Sequence, residues 1–234
     1  MKITYVRHSC FTLEIEKTVL IFDYFNGKLP KFDRKKTICV FSSHGHMDHF
    51  NKKIFRLADI YENVYFILSD DIREQVDVHS LPLATEGKIL YMGPDELLQL
   101  ENMGIRTLQS TDLGVAFIIR MEGLSIYHGG DLHWWSWNSE GEEFNDNMKK
   151  AFLHEMDKIK GERFDVAFLP LDPRLQERYS WGFDYFMRNT YTELAIPMHF
   201  WNNYKSLAAF REMECAQEYR DKIMLITHRE ETLL

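Results

Sequence analysis

The sequence predicts an α/β layer architecture, in which β-sheets carry helices packed outside them. Three observations lead there. Up to Phe41 the chain breaks into short runs rich in β-branched and aromatic residues, joined by tight connections. Later it alternates apolar strand-like runs with segments of helical spacing. It has no internal repeat, low-complexity tract or linker rich in Gly, Ser or Pro, so its 234 residues are expected to form one domain over 1–234.

The elements follow in order. Lys2 to Arg7, Phe11 to Glu16 and Thr18 to Asp23 read as strands. Thr37 to Phe41 is a buried-looking strand that runs into a histidine cluster. Lys52 to Ile60 is helix-like, with Ile54, Phe55, Leu57 and Ala58 on one side. Asn63 to Leu68, Leu90 to Met92 and Ile105 to Leu108 are strand candidates. Val115 to Arg120 and Leu124 to Tyr127 form a hairpin around Glu122-Gly123. Glu143 to Lys160 carries Met148, Ala151, Phe152, Met156 and Ile159 at helical spacing. Phe164 to Leu169 and Glu193 to Pro197 are strands, Trp201 to Tyr219 a helix, and Lys222 to Thr227 a closing strand.

Composition narrows the function. The formal net charge is -8, and the densest basic run, Lys31 to Lys36, is interrupted by Asp33. A nucleic-acid partner needs clustered Lys and Arg against phosphates, so a small-molecule substrate is favoured over a long polyanion. No stretch approaches the roughly 20 apolar residues of a membrane span. Met1 to Phe11 lacks the apolar region of a signal peptide. Cys10, Cys39 and Cys215 are scattered, with no C-x-x-C pair, so a reduced, cytoplasmic compartment is expected.

The strongest chemical signal is His44-Gly45-His46-Met47-Asp48-His49. Two residues apart in an extended segment, His44 and His46 face the same side and can converge on one ion such as Zn(II). Gly45 between them leaves the backbone free to bend. Asp48 and His49 can supply an oxygen and a nitrogen to a second ion. A histidine-rich surface loop is the bland alternative. Three of the ten histidines within six positions, with an aspartate among them, directly after a buried strand, favour metal.

This H-x-H-x-D-H run after a strand resembles the metallo-β-lactamase superfamily, and the likeness continues along the chain. Asp23 matches the family's acidic residue at the end of an early strand. Asp131, in Tyr127-His128-Gly129-Gly130-Asp131, matches its metal-bridging aspartate after a hairpin. His199, in Ile196-Pro197-Met198-His199, matches its late histidine. The resemblance implies a four-layer αββα sandwich. It implies His44 and His46 at a first metal site, Asp48, His49 and His199 at a second, and Asp131 between them. It implies hydrolysis of an ester, amide or phosphoester of a small molecule by a metal-bound hydroxide, with Asp48 orienting the water and accepting its proton. Zn(II), as one or two ions, is the expected cofactor, and the hard ligands also suit Mn(II) or Fe(II).

One departure marks a bacterial-type subgroup. The family's further first-site histidine, shortly before the hairpin, has no counterpart in Leu108-Gln109-Ser110-Thr111-Asp112-Leu113-Gly114. Asp112, Ser110 or His133 could fill the gap, and Asp112 could equally cap a turn. A single tightly held ion is the other possibility. The runner-up function is therefore a metal-binding sensor or binding module without turnover; an RNA-processing nuclease is disfavoured by charge.

Around these residues, Asp23 is expected to support the loop carrying His44 rather than to bind metal. His8 lies near the site by family analogy, with a loop histidine as the alternative. His128 reads more as a core histidine than a ligand partner. His79, His154 and His228 read as structural. Trp134, Trp135, Trp137 and Trp201 could wall a pocket or pack a core. Asp172, beside Arg174, has a substrate-facing and a turn reading.

Overall fold

The computed structural model describes residues 1–234, which fall into two compact units: 1–93 with 228–234, and 94–227. Each unit is built on one sheet.

In the first unit, β1 (Lys2–Arg7), β2 (Cys10–Glu14), β3 (Thr18–Phe22), β4 (Thr37–Ser42), β5 (Val64–Ser69) and β6 (Ile89–Met92) lie side by side in sequence order. The C-terminal pair Glu231–Thr232 adds an antiparallel edge to β1. β1, β2 and β3 pair antiparallel; β3 to β6 pair parallel. Near-continuous apolar runs are what buried parallel strands require, and Val19, Leu20, Ile21 and Phe22 are all fully buried. In register, Val19 meets Ile38, Ile21 meets Val40, and Val40 meets Phe66. Ile54, Phe55 and Ala58 cover this row. Burying side chains of this size contributes about 1.5–3 kcal/mol each.

The covering segment is Lys52–Asp59, expected as a helix and folded as 3-10 turns. Asn51 caps it by accepting from Lys53 N–H at 3.0 Å.

In the second unit, β7 (Leu97–Leu100), β8 (Met103–Gln109), β9 (Val115–Met121), β10 (Leu124–His128), β11 (Arg163–Pro170) and β12 (Tyr191–Met198) also run in sequence order across the sheet. β7 to β10 are antiparallel neighbours; β10, β11 and β12 are parallel. The expected hairpin is β9–β10, turning at Glu122 and Gly123, both at positive φ. Helix α1 (Glu142–Asp157) begins with Glu142 and Glu143 in its first turn, where carboxylates suit the helix dipole. It buries Phe152, Glu155 and Met156.

Other elements differ from the sequence expectation as well. β7 and helix α2 (Trp181–Asn189) were not foreseen. The helix expected over 201–219 is confined to α3 (Tyr204–Arg211). Trp201 and Asn202 take left-handed φ of 51° and 59°, which a helix excludes, and Asn203 caps α3 by accepting from Ser206 N–H. The closing strand at 222–227 is reduced to one bridge, Ala195 to Ile223.

Strand direction fixes where chemistry can gather. In the first unit, His8 follows β1, Asp23 follows β3, His44 to His49 follow β4, and Asp71 follows β5. In the second, Asp112 follows β8, Asp131 follows β10, Asp172 follows β11 and His199 follows β12. The carboxyl ends of parallel strands are where α/β sheets bind ligands.

Candidate metal centre

In the first unit the histidine loop is held from below by Asp23, which is fully buried at the end of β3. Asp23 accepts from Ser43 N–H at 2.7 Å, from Ser43 Oγ–H at 2.7 Å and from His49 Nδ1 at 2.8 Å. A carboxylate on Nδ1 places the ring hydrogen there and turns the lone pair of Nε2 outward, the usual arrangement behind a metal-binding histidine. Asp23 therefore supports the loop, as its place in the sequence suggested.

His44 Nε2 and His46 Nδ1 approach to 3.0 Å. Two donors about 2.0–2.1 Å from a tetrahedral zinc lie roughly 3.3 Å apart, so this pair has the spacing of a shared ion. The His44 ring also lies 4.1 Å from that of His49 and 4.7 Å from that of His46. Three imidazoles thus converge, and the donor set fits the metal that the motif implies.

Gly45 lets two side chains approach its backbone closely. Its N–H donates to Asp71 Oδ2 at 2.8 Å, and its carbonyl accepts from Gln75 Nε2 at 2.8 Å. A Cβ at this position would stand 2.1 Å from Gln75 Nε2. The clamp by Asp71 and Gln75 was not visible in the sequence, because both partners lie well downstream of the motif.

His8 joins the same corner. Its Nε2 lies 3.5 Å from Asp48 Oδ2, and its backbone takes a φ of 55°. His8, Asp48 and His49 bring ligand atoms within 4.8 Å of one another. Burial alone would raise the Asp48 carboxyl, but His8 and His49 outweigh it and hold Asp48 below the ordinary carboxylate range.

The second unit repeats the device. His199 Nδ1 lies 2.9 Å from Asp172 Oδ2, and His199 Nε2 lies 3.4 Å from Asp131 Oδ1. Burial lowers the His199 imidazole, yet Asp131 and Asp172 together carry it up to about 10. Asp172 is fully buried and also accepts from Trp201 Nε1, Arg174 N–H and the Arg174 guanidinium. Burial opposes its ionisation, but His199 and Arg174 hold it below the usual carboxylate range. Asp172 thus caps the turn and braces His199.

Asp131 sits after Gly129 and Gly130. Its carbonyl accepts from Trp135 Nε1 at 2.9 Å and from Thr111 Oγ1 at 3.2 Å. Of the three residues considered for the missing histidine, Asp112 has a carboxylate oxygen within 4.8 Å of one from Asp131. Ser110 instead accepts from Asp112 N–H and shapes the turn. His133 is buried with its ring against Gly182, where a Cβ would stand 2.5 Å from Nδ1. His128 is buried against Phe168 and accepts from Gly130 N–H, as a core histidine would. The rings of Trp135 and Trp201 meet His199 edge-on at 5.5 and 5.6 Å, while Trp134 packs on Phe152 and Trp181. His79, His154 and His228 enter neither cluster.

Comparison with known proteins bears on the family and the fold. A family described as a β-lactamase superfamily domain matches residues 2–146. A UPF0173 metal-dependent hydrolase of Opitutus terrae is 27% identical over 88% of this chain and 87% of its own length. One of Methanosphaerula palustris is 29% identical over 74% and 72%. Among solved structures, a metallo hydrolase of the archaeon Ignicoccus hospitalis matches with a TM-score of 0.67 at 18% identity, over 99% of this chain and 96% of that one. The α/β fold of the metallo-β-lactamase type is thereby shown, and the expectation of a hydrolase is met at the level of relatives named for that activity. With a matching family model over more than half its length, the chain belongs to the metallo-β-lactamase superfamily.

Proposed function

We propose that the chain is a hydrolase whose metal ligands are His44, His46, Asp48, His49, Asp131 and His199, in a single domain of this family. The observation that carries this reading is the pairing of two imidazoles with buried carboxylates. Asp23 on His49 and Asp172 on His199 each fix Nδ1 and leave Nε2 for an ion. Zinc is the metal the His-rich donors favour, as one or two ions, with Mn(II) or Fe(II) compatible. When bound, such a metal polarises the substrate oxygen and brings the pKa of water toward neutrality.

The chain's own residues supply the rest. Asp48, held ionised beside His8 and His49, accepts a proton from the attacking water at Oδ2. His8 fixes the orientation of that carboxylate. Asp112, beside Asp131, offers oxygen where the family's histidine is missing. That replacement supports turnover over a binding module. The substrate is a small ester, amide or phosphoester. No helix is long and apolar enough to cross a membrane, and three free cysteines suit the reducing cytoplasm.

Metal content per chain, after purification without chelator, tests the proposal against His46→Ala. About two equivalents, mostly lost in the variant, are expected of a dinuclear hydrolase. About one equivalent, kept in the variant, places a single ion with Asp48, His49, Asp131 and His199. No metal under any loading condition overturns the hydrolase.

A further inference from the structure

Arg174 stands out because its charge is braced on one side and open on the other. Nε and Nη2 donate to the buried Asp172 carboxylate at 2.5–3.0 Å. Nη1 has no hydrogen-bond partner, and the side chain is 47% exposed. The two N–H groups of Nη1, of the guanidinium's five, are left for another acceptor. The guanidinium also lies over two indoles, 4.6 Å from the Trp201 ring and 5.4 Å from the Trp137 ring. Trp201 is itself 44% exposed.

The platform is built in advance. Arg178 Nη1 donates to Ser136 Oγ at 3.1 Å and Asn138 Nδ2 to Gln176 Oε1 at 3.0 Å, tying the Trp137 loop to the Arg174 turn. Gln176 takes φ 56° and ψ -125°, a region that costs free energy outside glycine. His199, Trp201 and Asn202 are at positive φ as well. Strain on the turn that carries Arg174 and on the loop that carries Trp201 is the pattern of a preorganised binding site. Asp172 joins this cation to His199, so the platform stands one carboxylate away from a proposed metal ligand.

We propose that Arg174, flanked by Trp137 and Trp201, is a specificity-determining residue that binds an oxyanion of the substrate, a carboxylate or a phosphate, beside a flat or apolar group. The guanidinium fork matches either anion, and the indole faces suit the adjoining group. This rests on the hydrolase reading for the word substrate, but its test does not.

The test is tryptophan fluorescence of the full chain, as purified and again after chelation, titrated with benzoate, phenyl phosphate and the neutral benzyl alcohol. Saturable binding of at least one anion and not of the alcohol is expected. Arg174→Ala should weaken that binding by about tenfold or more, and Arg174→Lys should fall between, having charge without the fork. Benzoate alone identifies a carboxylate, phenyl phosphate alone a phosphate. Equal anion affinity in wild type and Arg174→Ala, no anion binding at millimolar concentrations, or equal binding of the alcohol overturns the inference. If Arg174→Ala does not fold, equal affinity in Arg174→Lys and wild type overturns it. A chain that takes up no metal under any loading condition yet binds anions through Arg174 leaves the inference standing while the hydrolase fails. A metal-loaded hydrolase indifferent to Arg174 does the reverse.

Discussion

Replacing Asp23 by Asn should separate metal affinity from folding. Asn fits the left-handed φ of 44° at this position, and its carbonyl oxygen can keep the 2.7 Å bond from Ser43 N–H. The amide nitrogen then replaces Oδ2, which now accepts from Ser43 Oγ and His49 Nδ1. Ser43 can rotate to accept instead and donate to His44 Nδ1, 3.1 Å away. His49 can accept at Nδ1 only by moving its hydrogen to Nε2, which removes the lone pair aimed at the metal. Folding loses charge-assisted hydrogen bonds but no volume, a cost of about 1–2 kcal/mol, or roughly 2–8 °C in Tm for a chain of this size. Metal affinity should fall by about 10–100-fold, equivalent to roughly 1.4–2.8 kcal/mol. Zinc competition against a chromophoric chelator reads the affinity, and ring-nitrogen NMR reads the tautomer. Unchanged zinc affinity in a folded Asp23→Asn chain refutes the argument that Asp23 sets the His49 lone pair.

Three further outcomes follow from the same geometry. In the metal-free chain, burial pushes His133 down to about 4, with His199 adding to that effect and Asp172 and Asp131 opposing it. Between the unfolded value near 6.5 and 4 the unfolded state binds the extra proton, so stability is lost as pH falls through that window, by about 3 kcal/mol in all. His133→Phe should flatten this acid slope in denaturant titrations. His199, held protonated up to about 10, must release its proton when metal binds at about pH 8, where an ordinary histidine has none to give; calorimetry in buffers of different ionisation enthalpy reads this, and Asp172→Asn should diminish it. Gly45→Ala should displace Gln75 and cost about 1–2 kcal/mol, and much less in a Gln75→Ala background; equal costs in both backgrounds would refute the contact.

The sequence carried the local part of this molecule. β1, β4 and the β9–β10 hairpin stand within about a residue of their expected bounds, since period and composition of short apolar strands are local properties. The histidine run was legible for the same reason. What escaped depends on distance along the chain or on backbone strain. Trp201 to Tyr219 reads as a helix, yet the left-handed residues beside His199 postpone it to Tyr204. β7 alternates exposed and half-buried residues over only four positions, too few to register as a strand. The bracing by Asp172 spans 27 positions, and the Asp71 clamp on Gly45 spans 26. The signal available for Asp172 was its place, an acidic residue at the end of an apolar strand followed by proline at a turn's first position.

That signal generalises within the chain. Asp23 ends β3 and braces His49 from the loop after β4, while Asp172 ends β11 and braces His199 at the end of β12. In both cases donor and acceptor come from neighbouring parallel strands, whose spacing of about 4.8 Å sets a carboxylate within reach of the next loop's imidazole. Two parallel strands thus do for each histidine what no local motif could, because a residue on the same strand would point along it. The two braces differ in one respect that bears on function. Asp23 accepts from Ser43 and His49. Asp172 carries a guanidinium as well. That guanidinium also lies over the Trp201 and Trp137 rings and is 47% exposed, so the second brace presents a cation to solvent while it orients a histidine.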